Sequence, residues 1–214
     1  MTQKSLNFRF EARYFQEGEL NENTRKVFFV LHGHGQQAKY FIKKFHPLFE
    51  EGHCVIAPEG LSRYYLEGYT GRVGATWMTK EDRLTDIKNY ITYLNRIYSS
   101  VVENVDQPDI YIIGFSQGAA TASRWVADSQ MKFHNLILWA GIFPPDMDFE
   151  KAGKKFMGKT FTFVYGTRDP FLSDKKFTEM QSLSDQLSVK PRIIQFDGDH
   201  DINKNALIQA VSLS

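Results

Sequence analysis

Six short, largely apolar runs limit what this chain can fold into: residues 27–31 (VFFVL), 54–57 (CVIA), 110–113 (IYII), 136–139 (LILW), 161–165 (FTFVY) and 192–196 (RIIQF). A strand that is apolar on both faces belongs in the middle of a parallel sheet covered by helices. Between and after the runs lie stretches of helical spacing, at about residues 38–51, 80–102, 117–129, 174–187 and 204–213. In the second of these, Leu84, Ile87, Ile91, Leu94, Ile97 and Tyr98 form one apolar stripe and predict an amphipathic packing helix. Residues 6–14 (LNFRFEARY) alternate instead, which predicts an edge strand with one wet face. The expected fold is therefore α/β, with a mostly parallel central sheet and helices on both faces. No repeat, low-complexity tract or Pro/Ser-rich linker interrupts it, so residues 1–214 are read as one domain. Residues 58–79 (PEGLSRYYLEGYTGRVGATWMT) break the rhythm, with four glycines, three tyrosines and a tryptophan but no sustained period. They predict a long irregular loop, a feature that in compact domains usually serves function.

Charge and composition exclude several function classes. Lysine plus arginine (26) nearly balances aspartate plus glutamate (25), so no basic excess is present to hold a nucleic acid. The start (MTQKSLNFRF) has no apolar run behind a basic stretch, and nothing elsewhere approaches a membrane span, so no integral membrane association is expected. The single cysteine, Cys54, lies in the run GHCVIAP and reads as a buried filler; together with the missing leader it predicts a reducing, cytoplasmic setting. Aromatic residues make up 14% of the chain, more ring surface than an ordinary core needs.

The chemistry-bearing residues sit where the expected strands end. Gly114-Phe115-Ser116-Gln117-Gly118 joins the run IYII to a helical stretch. A serine at such a strand-to-helix turn is lifted out of the sheet, its small neighbours let helix and strand pack, and the next N–H, here of Gln117, points at a developing oxyanion. An alcohol needs a base. Asp169, in GTRDP, follows the run FTFVY, and His200, in DGDH, follows RIIQF, so Ser116, Asp169 and His200 converge on one end of the sheet. Asp199 or Asp201 could orient the imidazole in place of Asp169. After VFFVL comes HGHGQ, whose bend suits a second oxyanion donor, the backbone N–H of His34. Two rival readings apply to this segment. His32 and His34 could bind a metal, although no carboxylate or cysteine cluster accompanies them. Gly33-x-Gly35-x-x-Ala38 with Glu59 matches a dinucleotide fingerprint, but it leaves Ser116, Asp169 and His200 unexplained.

In this order and at these intervals, LHGHGQ, APEG, GFSQGAA, GTRDP and GDH resemble the phospholipase/carboxylesterase family, which includes the acyl-protein thioesterases and small bacterial carboxylesterases. The resemblance spans about residues 27–207. It implies an α/β-hydrolase fold that needs no cofactor; because the expected sheet and helices use nearly the whole length, no separate cap domain is expected, and for want of a ligand cluster no metal is expected either. It also implies cleavage of a small carboxylic ester or acyl thioester through an acyl-enzyme. The implied triad is Ser116, His200 and Asp169, with the N–H groups of His34 and Gln117 as oxyanion hole. Two departures stand out: the family usually has an apolar residue at the position of His34, and residues 62–83 echo its pattern only at Trp77, Glu81 and Asp82. For the acyl chain, an apolar groove is expected from Tyr64, Tyr65, Tyr69 and Trp77, with Ile142 and Phe143 as further lining. A catalytically dead binding scaffold on the same fold is the competing reading, and the oligomeric state is left open between monomer and homodimer.

Overall fold

The computed structural model describes residues 1–103 and 105–212. Seven strands form one sheet in the order β1-β3-β2-β6-β7-β8-β9: β1 (Tyr14–Glu17), β2 (Lys26–Leu31), β3 (Cys54–Pro58), β6 (Asp109–Phe115), β7 (Asn135–Trp139), β8 (Thr160–Gly166) and β9 (Arg192–Phe196). β1 runs antiparallel to β3, and the other neighbours pair in parallel. All six apolar runs are strands of this sheet. Their continuity has a direct cause, because successive side chains enter opposite cores. Phe29, Ile56, Ile112 and Leu138 join one cluster, while Phe28, Val55, Tyr111 and Ile137 join the other.

The first cluster is covered by α3 (Arg83–Val102), α4 (Gln117–Asp128), α5 (Phe149–Phe156) and α6 (Asp174–Gln186). The second is covered by α1 (Ala38–Phe41), α2 (His46–Glu50) and α7 (Lys204–Val211). The helix expected at 38–51 is split into α1, a 3₁₀ turn and α2, with Pro47 inside the first turn of α2. Proline tolerates that position because it lacks an N–H there. Leu213, the expected end of the last helix, lies outside the described residues. In α3 the buried face is Tyr90, Leu94, Ile97 and Val101, whereas Leu84 at its start is 70% exposed.

Three expectations are corrected. The edge strand is β1, later in the chain than the alternating segment, and residues 1–13 carry no regular structure. Residues 58–79 are largely a two-stranded antiparallel hairpin, β4 (Ser62–Glu67) and β5 (Thr70–Thr76). α5 has no counterpart among the five stretches of helical spacing; the Asp148 side chain caps it by accepting from Lys151 N–H at 2.9 Å. Among the described residues no helix is long and apolar enough to cross a membrane. Cys54 is fully buried, and burial pushes its thiol up to about 11.

Candidate active site

Ser116 joins β6 to α4 at φ +54°, ψ −116°, a conformation that costs a non-glycine residue on the order of 1–3 kcal/mol. The surrounding packing enforces it. A Cβ at Gly114 would lie 2.3 Å from Gly118 O, and one at Gly118 would lie 2.2 Å from Leu31 O, so both flanking glycines are required for β2, β6 and α4 to approach this closely. Ser116 N–H donates to Trp139 O at 2.8 Å, anchoring the turn to β7.

Asp169 and His200 stand on the loops after β8 and β9, which are stitched together by Thr167 N–H to Phe196 O and Arg168 N–H to Gly198 O, both 2.9 Å. The Asp169 side chain is fully buried. Its Oδ2 meets His200 Nδ1 at 2.7 Å, and its Oδ1 accepts from Phe171 N–H at 2.9 Å. The neighbouring acids are engaged elsewhere: Arg168 pairs with Asp197 and Asp199, and Asp201 pairs with Lys44. Of the three acids that could orient the imidazole, Asp169 is the one in contact with it. The ring lies between Phe115, 4.8 Å away between centroids, and Phe171, 4.7 Å away edge-on. Phe115 precedes Ser116 in the chain, so the imidazole sits beside the elbow. Among the described residues Ser116 Oγ and His200 Nε2 have no hydrogen-bond partner.

The loop after β2 faces the same turn, since a Cβ at Gly33 would lie 3.2 Å from Ser116 Cβ. Gly33 N–H is bound to Gln36 Oε1 (2.8 Å) and Gly35 N–H to Ala75 O (2.9 Å). Among the described residues the N–H groups of His34 and Gln117 have no acceptor, and Gln117 opens α4, where first-turn N–H groups lack helical partners.

This loop does not suit either rival reading. The amides of Gly33 and Gly35, which a pyrophosphate would use, are taken. Glu59 is turned inward: 2% exposed, it pairs with Arg13 and accepts from Ala38 N–H at 3.2 Å. Both ring nitrogens of His32 are also occupied, Nδ1 donating to Gly33 O (2.7 Å) and Nε2 accepting from Gly60 N–H (3.0 Å). His32 is neutral, and its pKa is lowered to about 4, chiefly by burial.

The expected acyl groove is not assembled from the side chains assigned to it. Trp77 is 2% exposed; its ring stacks on His32 (5.1 Å), and its Nε1–H donates to His32 O at 2.8 Å. Phe143 is fully buried among Phe156, Phe161 and Phe163. Both are core residues, and much of the aromatic surplus is in this packing. Tyr65 and Tyr69, 49% and 92% exposed, project from the hairpin. Ile142 is half-buried beside Gly141, where a Cβ would lie 2.8 Å from Ser116 O, so it remains next to the turn. Residue patterns do not reveal Phe171, which is 68% exposed against His200, because an isolated aromatic in a turn carries no periodic signal. Nor do they reveal Thr76, which is buried and hydrogen-bonded to Gln117.

A parallel sheet with a strained serine at a strand-to-helix turn, and a carboxylate–imidazole pair on later strand ends, defines the α/β-hydrolase class. The profile of the family described as "Serine hydrolase (FSH1)" matches residues 22–210, and the chain belongs to that family. No curated protein is similar enough in sequence to count as a relative. Esterase PE8 has a similar structure, with a TM-score of 0.70 at 16% identity over 95% of this chain and 97% of that one. Acyl-protein thioesterase 2 of Zea mays scores 0.68 at 13% identity, covering 93% of this chain and 96% of its own. The Bacillus cereus carboxylesterase scores 0.66 at 17% identity, covering 93% and 91%. At these identities the likeness is one of fold. The chain is a serine hydrolase, built on the fold that carboxylesterases and acyl-protein thioesterases share.

Proposed function

We propose that this hydrolase cleaves short to medium acyl esters or acyl thioesters through an acyl-enzyme on Ser116. The observation that carries the reading is the 2.7 Å contact between buried Asp169 and His200 Nδ1, on a ring packed beside the strained Ser116 turn. In this arrangement Asp169 holds the proton on Nδ1 and leaves Nε2 to take the Ser116 proton as Oγ attacks the carbonyl carbon. The negative charge that develops on the carbonyl oxygen is received by the N–H groups of His34 and Gln117. His200 then gives its proton to the departing alcohol or thiol, and water repeats the steps on the acyl-enzyme. No cofactor or metal enters this scheme. Phe171 and Ile142 are the apolar surfaces offered to substrate, while Trp77 and Phe143 serve the core. We read residues 1–214 as one catalytic domain, consistent with the family match over 22–210, in which the β4–β5 hairpin and the strand-end loops cover the site.

The test is hydrolysis of p-nitrophenyl acetate and butyrate, together with labelling by a fluorophosphonate. Activity and label at Ser116 are expected in the wild type, and Ser116→Ala should lose both. Wild-type protein that is folded, inactive and unlabelled would instead indicate a binding scaffold. A series of esters and thioesters of increasing chain length then ranks the substrates.

A further inference from the structure

The scheme above uses only the backbone of His34 and Gln117, yet both side chains are held, and one residue touches both. Thr76, the last residue of β5, is 2% exposed. Its Oγ1 lies 3.2 Å from His34 Nδ1 and 3.0 Å from Gln117 Oε1, with Met78 O at 2.9 Å. The Gln117 carboxamide is further fixed by Trp77 N–H on Oε1 (3.2 Å) and by its own Nε2–H on Met78 O (2.9 Å). On the other side, Tyr64 OH meets His34 Nε2 at 2.6 Å. The proton count sets the directions. Thr76 has one hydroxyl hydrogen, shared between Gln117 Oε1 and Met78 O, so its lone pair accepts from His34 Nδ1–H, and the bare Nε2 accepts from the Tyr64 phenol. The backbone beside Thr76 locks the same parts together, through Gly35 N–H to Ala75 O (2.9 Å) and Ala75 N–H to Gln36 O (3.0 Å).

We propose that Thr76 is the positioning residue of the oxyanion hole: its hydroxyl bridges the two segments that carry the donor amides, and the β4–β5 hairpin is the mounting that holds it there. The inference rests on the assignment of those amides under Proposed function. The two amides come from parts of the chain 83 residues apart, the loop after β2 and the start of α4. Such donors stabilise a transition state only if both are already in place, and a misplacement of about 1 Å can cost 10²-fold. The bridge spans this gap, which the backbone of neither segment can regulate alone.

The test compares Thr76→Val, which removes the hydroxyl at nearly constant volume, with Thr76→Ser, which keeps it. On p-nitrophenyl butyrate, T76V is expected to lower kcat about 10–100-fold with KM within about two-fold, while T76S stays within about three-fold of wild type. The Ki of a trifluoromethyl ketone, which forms the same oxyanion on Ser116, should rise in step with the fall in kcat/KM. Wild-type kcat in folded T76V, or equal damage in T76S and T76V, would overturn the proposal. If T76V does not fold, Tyr64→Phe replaces it: Tyr64 is half-buried on the hairpin, and loss of its hydroxyl should lower kcat about 3–10-fold at unchanged KM. Unchanged kcat in Y64F then counts against the bridge. Ser116→Ala separates the two levels: an inactive S116A beside a fully active T76V removes the bridge alone, whereas an active S116A removes the catalytic assignment and the bridge with it.

Discussion

At the scale of single residues, two buried rings decide behaviour that their sequence context does not reveal. His32 sits in an HGHG segment that could serve metal or phosphate, but its nitrogens are spent on Gly33 O and Gly60 N–H. Its folded pKa is about 4 against an ordinary 6.5, so between these values the unfolded chain binds a proton that the folded chain does not. This contribution to stability is complete above about pH 6.5 and is lost as the pH falls through about 4, by on the order of 3 kcal/mol. Thermal melts from pH 7 to pH 4 should show the decline, and His32→Gln, which does not titrate, should remove this share of the slope while lowering the melting temperature throughout. Trp77, whose place in an aromatic-rich segment suggests contact with substrate, instead packs between His32 and Tyr90. Trp77→Ala should therefore cost about 3–5 kcal/mol in denaturant unfolding, and Trp77→Phe much less. A change of chain-length preference in W77F at unchanged stability would return the indole to the substrate site.

At the scale of elements, the hairpin is the part least legible in the sequence. A turn signal is present: Gly68, at φ +57°, is the first of two residues joining Glu67 to Thr70, the glycine-first form that closes two-residue hairpins. The strands give no such signal, because most of β4 is exposed and β5 carries Gly71 and Gly74, so neither shows an apolar alternation. Gly74 explains itself only in three dimensions. A Cβ there would lie 2.6 Å from Gly35 O and 2.8 Å from Gly35 Cα, both backbone atoms that cannot step aside cheaply. Gly74→Ala should lift the hairpin from the His34 loop and lower kcat by about ten-fold or more, with a smaller effect on melting temperature, measured on p-nitrophenyl butyrate. By contrast, the strand-to-helix junction at Ser116 is fully legible, because a buried run, two small residues and a helical period are local properties of the chain.

At the scale of the whole molecule, the sheet and its two cores carry the fold, and the first ten residues do not. Residues 1–10 are exposed throughout, including Leu6 (80%) and Phe8 (75%). Deleting them should leave melting temperature and esterase rate near wild type. Arg13 marks the limit of that tolerance: it pairs with the buried Glu59 at 2.6 Å, and its backbone O accepts from Tyr93 OH at 2.6 Å and from Glu59 N–H at 3.3 Å. Arg13→Ala should cost about 2 kcal/mol, less than for a fully buried pair because the guanidinium is 43% exposed, read by chemical denaturation. The alternation of residues 6–14 suggests a strand, yet a strand needs a neighbour to bond with, and pairing on β3 begins only at Tyr14.

The sequence alone determined the parallel sheet, the order of its strands along the chain and the strand ends at which Ser116, Asp169 and His200 stand, since periodicity and turn chemistry are short-range. Only the tertiary structure decided which acid meets His200, which rings fill the core and which hydroxyl lies between His34 and Gln117. The contacts of His200 with Asp169, of Thr76 with Gln117 and His34, and of Trp77 with His32 join residues 31, 41, 42 and 45 positions apart, where hydrogen bonds and packing depend on how whole elements dock and no local pattern records the partner.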